Sequence, residues 1–182
     1  MIRNNRFLHF VIVAQVSLLS THAQQEPSPG IGVEHHDNIS TGQERSLYVL
    51  LQKYSSAGYY VSPNVPSNKL NTASQSCEVP AGEEIYALVD ATVSGKAKNC
   101  LLIGSSGIYV HNGWEGNSPG RYFIPYDLLI DMPVERKGAF EISIGSVCFD
   151  MSGSSVRKDY MITILQDIKR EFGAGSDSKD TE

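Results

Sequence analysis

Residues 139–150 read AFEISIGSVCFD, and this stretch decides the fold. Gly145-Ser146 is a two-residue connection suited to a type II′ turn, in which glycine supplies the positive φ. Counting outward sets Ile144 opposite Val147 and Ile142 opposite Phe149. Side chains alternate across a strand, so Phe140, Ile142, Ile144, Val147, Phe149 and Met151 share one face, which must be the core side. Glu141, Ser143 and Cys148 take the opposite face.

A helix follows the hairpin. Met161, Ile164, Leu165, Ile168 and Phe172 form one apolar stripe over residues 156–172. Ser154 or Ser155 is placed to cap its start, the Lys169-Arg170 pair complements its dipole, and Gly173 ends it. Upstream, short strands at 85–90, 100–103, 108–111 and 122–124 are separated by turn signals. These are the SGKAKN run at 94–99, the GSSG run at 104–107 and a glycine-rich loop at 112–120. Pro125 to Leu129 reads as a turn after the last of them.

An earlier helix opens at Thr41, which has capping-box spacing to Glu44. Leu47, Leu50, Leu51 and Tyr54 share one of its faces, and Gly58 is a natural stop. Residues 59–82 carry Pro63, Pro66 and Pro80 and read as an irregular connector, with room for a short helix around 68–76.

The run Ala87-Leu88-Val89-Asp90-Ala91-Thr92, the turn Gly95-Lys96-Ala97-Lys98 and the strand opening Gly107-Ile108-Tyr109 resemble bacterial pleckstrin-homology-like domains. Tyr122-Phe123-Ile124-Pro125-Tyr126 fits the aromatic strand and turn that follow in them, so the resemblance covers about residues 83–172. It implies an α+β fold, a small antiparallel split barrel with a C-terminal amphipathic helix. Here an N-terminal accessory helix is added. The resemblance also implies a headgroup-binding turn at Lys96 and Lys98. Cys100 departs from it, standing where a small residue such as glycine is expected.

The first residues give an address. Arg3 and Arg6 precede the apolar run FLHFVIVAQVSLLS at 7–20, and Ala23 ends the segment before a polar run. That is the layout of a cleavable secretory signal, too short for a bilayer span. The domain plan is therefore a signal at 1–23, a flexible leader at 24–40, accessory helix and connector at 41–82, the barrel domain at 83–172 and a disordered tail at 173–182. The expected location is periplasmic or secreted. Loss of the two arginines takes the net charge from −5 to −7, which leaves no basic footprint for nucleic acid.

Cys77, Cys100 and Cys148 are an odd set for an oxidising compartment. They form one disulfide in any of three pairings, bond between chains, or are small buried hydrophobes; sequence does not choose. His35-His36-Asp37 is the one adjacent ligand-type cluster in the chain, and no metal or cofactor is expected. Ser105 and Ser106 lack a nucleophile-elbow pattern, so no catalytic residue is assigned.

The leading functional expectation is an exported, non-catalytic module that binds a protein partner, for example an immunity protein neutralising a toxin in the same compartment. Trp114, with neighbours His111 and Glu115, is the expected contact, because a loop aromatic buries large apolar area at low entropic cost. The alternatives are a cell-envelope hydrolase using His111 with Asp90 or Glu115, and an anionic-headgroup binder through Lys96 and Lys98. Oligomeric state is not readable from the chain.

Overall fold

Strands that are apolar on both faces must be covered on both sides, and IYALVD, CLLIG and GIYVHN are nearly buried throughout. That requirement organises the molecule. The computed structural model describes residues 41–113 and 119–174. Its elements run α1 (Thr41–Gln52), β1 (Tyr59–Val61), α2 (Ser67–Cys77), β2 (Ile85–Asp90), β3 (Cys100–Gly104) and β4 (Gly107–Asn112). Then come β5 (Gly120–Pro125), α3 (Tyr126–Leu129), β6 (Val134–Lys137), β7 (Glu141–Ile144), β8 (Val147–Asp150) and α4 (Lys158–Gly173).

The fold is α+β. Strands β1 to β5 form an antiparallel sheet in sequence order, and β6 to β8 form a second antiparallel sheet. The two sheets are separate ladders, so the expected barrel does not close. Side chains join them instead. Asn112 Nδ2 donates to the Cys148 carbonyl, and Asn112 Oδ1 accepts the Asp150 N–H at 3.0 Å. Asn99 Nδ2 donates to the Asp150 carbonyl, also at 3.0 Å.

One face of the five-stranded sheet meets α1, α4 and the three-stranded sheet in a continuous apolar core. Leu47 and Leu51 of α1, Val89, Leu101, Ile103 and Ile108 of the sheet, Ile142 and Phe149 of the hairpin, and Ile164, Leu165 and Ile168 of α4 all belong to it. The other face carries α2, with Ala73 and Cys77 against Leu88, Cys100, Leu102 and Tyr109.

The hairpin register is as the sequence implies, Ile144 opposite Val147 and Ile142 opposite Phe149, with Gly145 at φ +58°. The α4 stripe is buried at all five positions. Several expectations need correction. Phe140 is 62 % exposed, because β7 begins only at Glu141 and the alternation does not extend into the preceding turn. Cys148 needs no correction: it lies on the outward face of the hairpin and is covered there, with Lys137 Nζ donating to its Sγ at 3.0 Å. Neither serine caps α4: Arg157 occupies the N-cap without a side-chain bond, and Ser154 Oγ accepts the Val156 N–H at 3.1 Å. Gly173 is the last residue of α4. In the connector, α2 fills the place left for a short helix around 68–76 and spans eleven residues, whereas β1, which pairs with β2, was not expected. The signal and leader segments lie outside the described residues, as does the tail from residue 175.

Candidate functional site

Ladder register decides which side chains sit together on the α2 face. Tyr60 faces Leu88, Leu88 faces Leu102, Leu102 faces Tyr109 and Tyr109 faces Phe123, giving one apolar row across all five strands. Helix α2 covers the middle of this row through Leu102 and Tyr109. The row ends on β5 at Phe123, which is 48 % exposed and packs on Tyr109 with ring centroids 4.6 Å apart. A second row, Asp90–Cys100–His111–Arg121, crosses four strands beside it.

Three members of the second row hold α2. Lys69 Nζ donates to Asp90 Oδ2 at 2.6 Å, with the carboxylate side chain only 3 % exposed. Asp90 Oδ1 also accepts the Thr92 and Ala97 N–H groups at 2.9 and 3.2 Å, and the Thr92 hydroxyl. Burial alone would raise the Asp90 carboxyl, but the bonds from Lys69 and Thr92 outweigh it and hold the group below the ordinary carboxylate range. For Lys69, burial acts downward, and bonding to Asp90 and Tyr60 gives a net upward shift. Cys100 Sγ lies 3.6 Å from Cys77 Sγ at the end of α2. Arg121 Nε donates to the Ser76 carbonyl at 2.6 Å and pairs with Glu78 at 3.2 Å.

The sequence candidates fall around this face. His111 Nδ1–H donates to the Lys98 carbonyl, which fixes the ring on the turn leading into β3. It does not meet Asp90: Cys100 stands between them in the ladder, so they are two strands apart, roughly 10 Å. Lys96 and Lys98 are exposed and flank Ala97, whose positive φ of 54° is held by the two bonds from its N–H to Asp90 and Thr92. Trp114 and Glu115 lie outside the described residues, in the segment that joins β4 to β5. Cys77, Cys100 and Cys148 are all free thiols. No group of three His, Cys, Asp or Glu side chains that could hold a metal occurs among the described residues. Nor is any described helix long and apolar enough to cross a membrane.

The sequence places Phe123 in an aromatic strand and gives it no contact role; the available signal is a Phe within Tyr-Phe-Ile-Pro on a strand whose neighbours are partly polar. A shallow depression of about 390 Å³, lined by Ser55, Ser56, Arg157, Asp159, Tyr160 and Thr163, contains none of the sequence candidates. Its carboxylate, Asp159, is already paired with Arg136. Compared with known proteins, the chain matches no family model, no curated sequence and no solved structure.

Proposed function

We propose that this chain is an exported, non-catalytic binding module with a pleckstrin-homology-like core, which takes a protein partner at the β5 edge. The observation that carries this reading is the apolar row that begins at Tyr60 under α2 and ends on exposed Phe123. β5 is last in the sheet order, so its outer edge has no strand partner among the described residues. An open edge offers main-chain donors and acceptors to an added strand, and an adjacent aromatic supplies the apolar anchor. Trp114, His111 and Glu115 belong to the same end of the β4–β5 pair by sequence, since β4 ends at Asn112 and β5 opens at Gly120. The likeness to a pleckstrin-homology core is supported by the meander β2–β5, the three strands β6–β8 and the closing helix α4. Blocking of a toxin in the same compartment remains the specific role this module would suit.

The test is capture of partners by the tagged chain from the exported fraction of its own host, with Phe123→Arg and Trp114→Ala run beside it. One dominant partner, retained by the unaltered chain and lost by Phe123→Arg, supports the reading. Equal recovery by all three chains sinks the β5 assignment.

A second reading has one observation in its favour. Val93 is 93 % exposed in the turn that also carries Lys96 and Lys98, an apolar tip beside two cations. Binding to anionic vesicles that weakens with salt, and is lost in the double alanine variant of Lys96 and Lys98, would favour headgroup recognition instead.

A further inference from the structure

Two of the three thiols are placed for chemistry with each other. Cys77 closes α2 and Cys100 opens β3, 23 residues apart in sequence, and their Sγ atoms are 3.6 Å apart. A disulfide bond is about 2.05 Å long, so an approach of roughly 1.5 Å would complete it. The third thiol is occupied elsewhere, because Cys148 belongs to the other sheet and accepts from Lys137. We propose that Cys77 and Cys100 are a built-in disulfide site, closed by exchange with a small disulfide donor and serving to staple α2 to the sheet.

The exchange runs in two steps. Cys77, which retains 6 % exposure at a helix end, attacks one sulfur of the donor and expels one thiolate of it. Cys100, fully buried, then gives its proton to that thiolate and attacks the Cys77 sulfur, expelling the second donor thiolate. The second thiolate takes up the proton released by Cys77. Two protein thiols become one disulfide, and the donor disulfide becomes two thiols.

The surroundings suit a structural bond rather than a catalytic one. The hydrogen bond with Cys77, then burial, push the Cys100 thiol well above its usual range, which suppresses its thiolate in the reduced chain. Arg121 holds the helix end at Ser76 and Glu78, so the two sulfurs stay in register while the exchange proceeds. No other covalent link joins α2 to the sheet among the described residues, so the bond would add a constraint that the Lys69–Asp90 pair and the Arg121 contacts do not supply.

The experiment uses the full chain, reduced and then incubated with oxidised glutathione, quenched with an alkylating agent under denaturing conditions and mapped by peptide mass spectrometry. One alkylated thiol, at Cys148, and a Cys77–Cys100 crosslinked peptide are expected. Melting of the oxidised chain should rise by about 10 °C over the reduced one. Cys148→Ser should keep both effects, and Cys77→Ser should lose both. Three alkylated thiols after oxidation, a bridge to Cys148, or a crosslink that leaves melting unchanged would each overturn the proposal. Should Cys77→Ser fail to fold, the unaltered chain and Cys148→Ser still decide the matter.

Discussion

The two faces of the five-stranded sheet are covered by different physics. On the α4 face, Leu47, Leu51, Ile164, Leu165, Ile168 and Phe149 are wholly buried and contribute through apolar area alone. On the α2 face the apolar cluster is smaller, and the helix is registered by Asp90, Cys100 and Arg121 in one cross-strand row. Apolar burial has no direction and is insensitive to pH. A polar row specifies one position for its helix and depends on the charge state of its members. The fold thus has one helix, α4, held chiefly by apolar burial and another, α2, registered by a polar row, which predicts that α2 is the easier of the two to release.

The largest expected effect is on the apolar side. Leu165→Ala removes a fully buried side chain on the inner face of α4 and should cost about 3–4 kcal/mol, read as a lower urea midpoint. Because α4 touches α1, β6 and β7, unfolding should remain a single transition. Loss of only the α4 signals, with the five-stranded sheet intact, would break the contrast between a defining and a releasable helix.

Next comes the buried ion pair. Asp90→Ala removes the acceptor for Lys69, for the Thr92 hydroxyl and for two backbone N–H groups. A cost of about 2–3 kcal/mol is expected, concentrated in hydrogen exchange of α2. The pH dependence follows from the direction of each shift. Asp90 titrates lower in the folded chain, so its contribution is fully present above its unfolded value near 3.9 and is lost as pH falls through the folded value. Lys69 titrates higher when folded, so its contribution is fully present below about 10.4 and is lost as pH rises through the folded value. Protection of α2 amides should therefore hold between about pH 4 and pH 10 and fall outside that window, while α4 amides, whose Asp159–Arg136 pair is exposed and screened, should lose less. Equal loss in both helices would remove the distinction.

How much of this was legible in the chain follows from the same contrast. Residues 139–150 and the α4 stripe could be read because periods of 2 and of 3.6 are printed in one local segment. α2 was only half visible: SNKLNTASQSC has few apolar residues, since the helix is held by Lys69, Cys77 and the Ser76 carbonyl. Its polar row joins residues from four strands, and no local window contains a cross-strand register. β6 was missed because Val-Glu-Arg-Lys has one buried residue and three exposed ones. Phe123 was passed over for Trp114 because exposure on an edge strand depends on where α2 stops, which is a tertiary fact.

A smaller effect sharpens the comparison at the end of α2. Arg121 and Glu78 are both largely exposed, so their ion pair is screened and contributes little by itself. The bond from Arg121 to the Ser76 carbonyl satisfies a C-terminal helix acceptor and is the larger part. Arg121→Ala should cost under about 1 kcal/mol in global stability and still raise exchange in the last turn of α2. Conversion of that variant by oxidised glutathione should slow, because the cysteine end of the helix is less firmly held.

The smallest effect carries the opposite sign and tests whether the α4 face is as indifferent to polar groups as its composition implies. Tyr86 and Tyr126 both lie in that core. The Tyr126 hydroxyl donates to the Gly104 carbonyl at 2.6 Å, whereas the buried Tyr86 hydroxyl has no hydrogen-bond partner among the described residues. A buried donor without a partner carries its desolvation cost uncompensated. Tyr86→Phe should thus be neutral or stabilise by up to about 1 kcal/mol, while Tyr126→Phe, the matched control, should destabilise by about 1 kcal/mol. Similar losses in the two variants would mean that the Tyr86 hydroxyl is satisfied after all, and that the apolar face depends on a polar contact of its own.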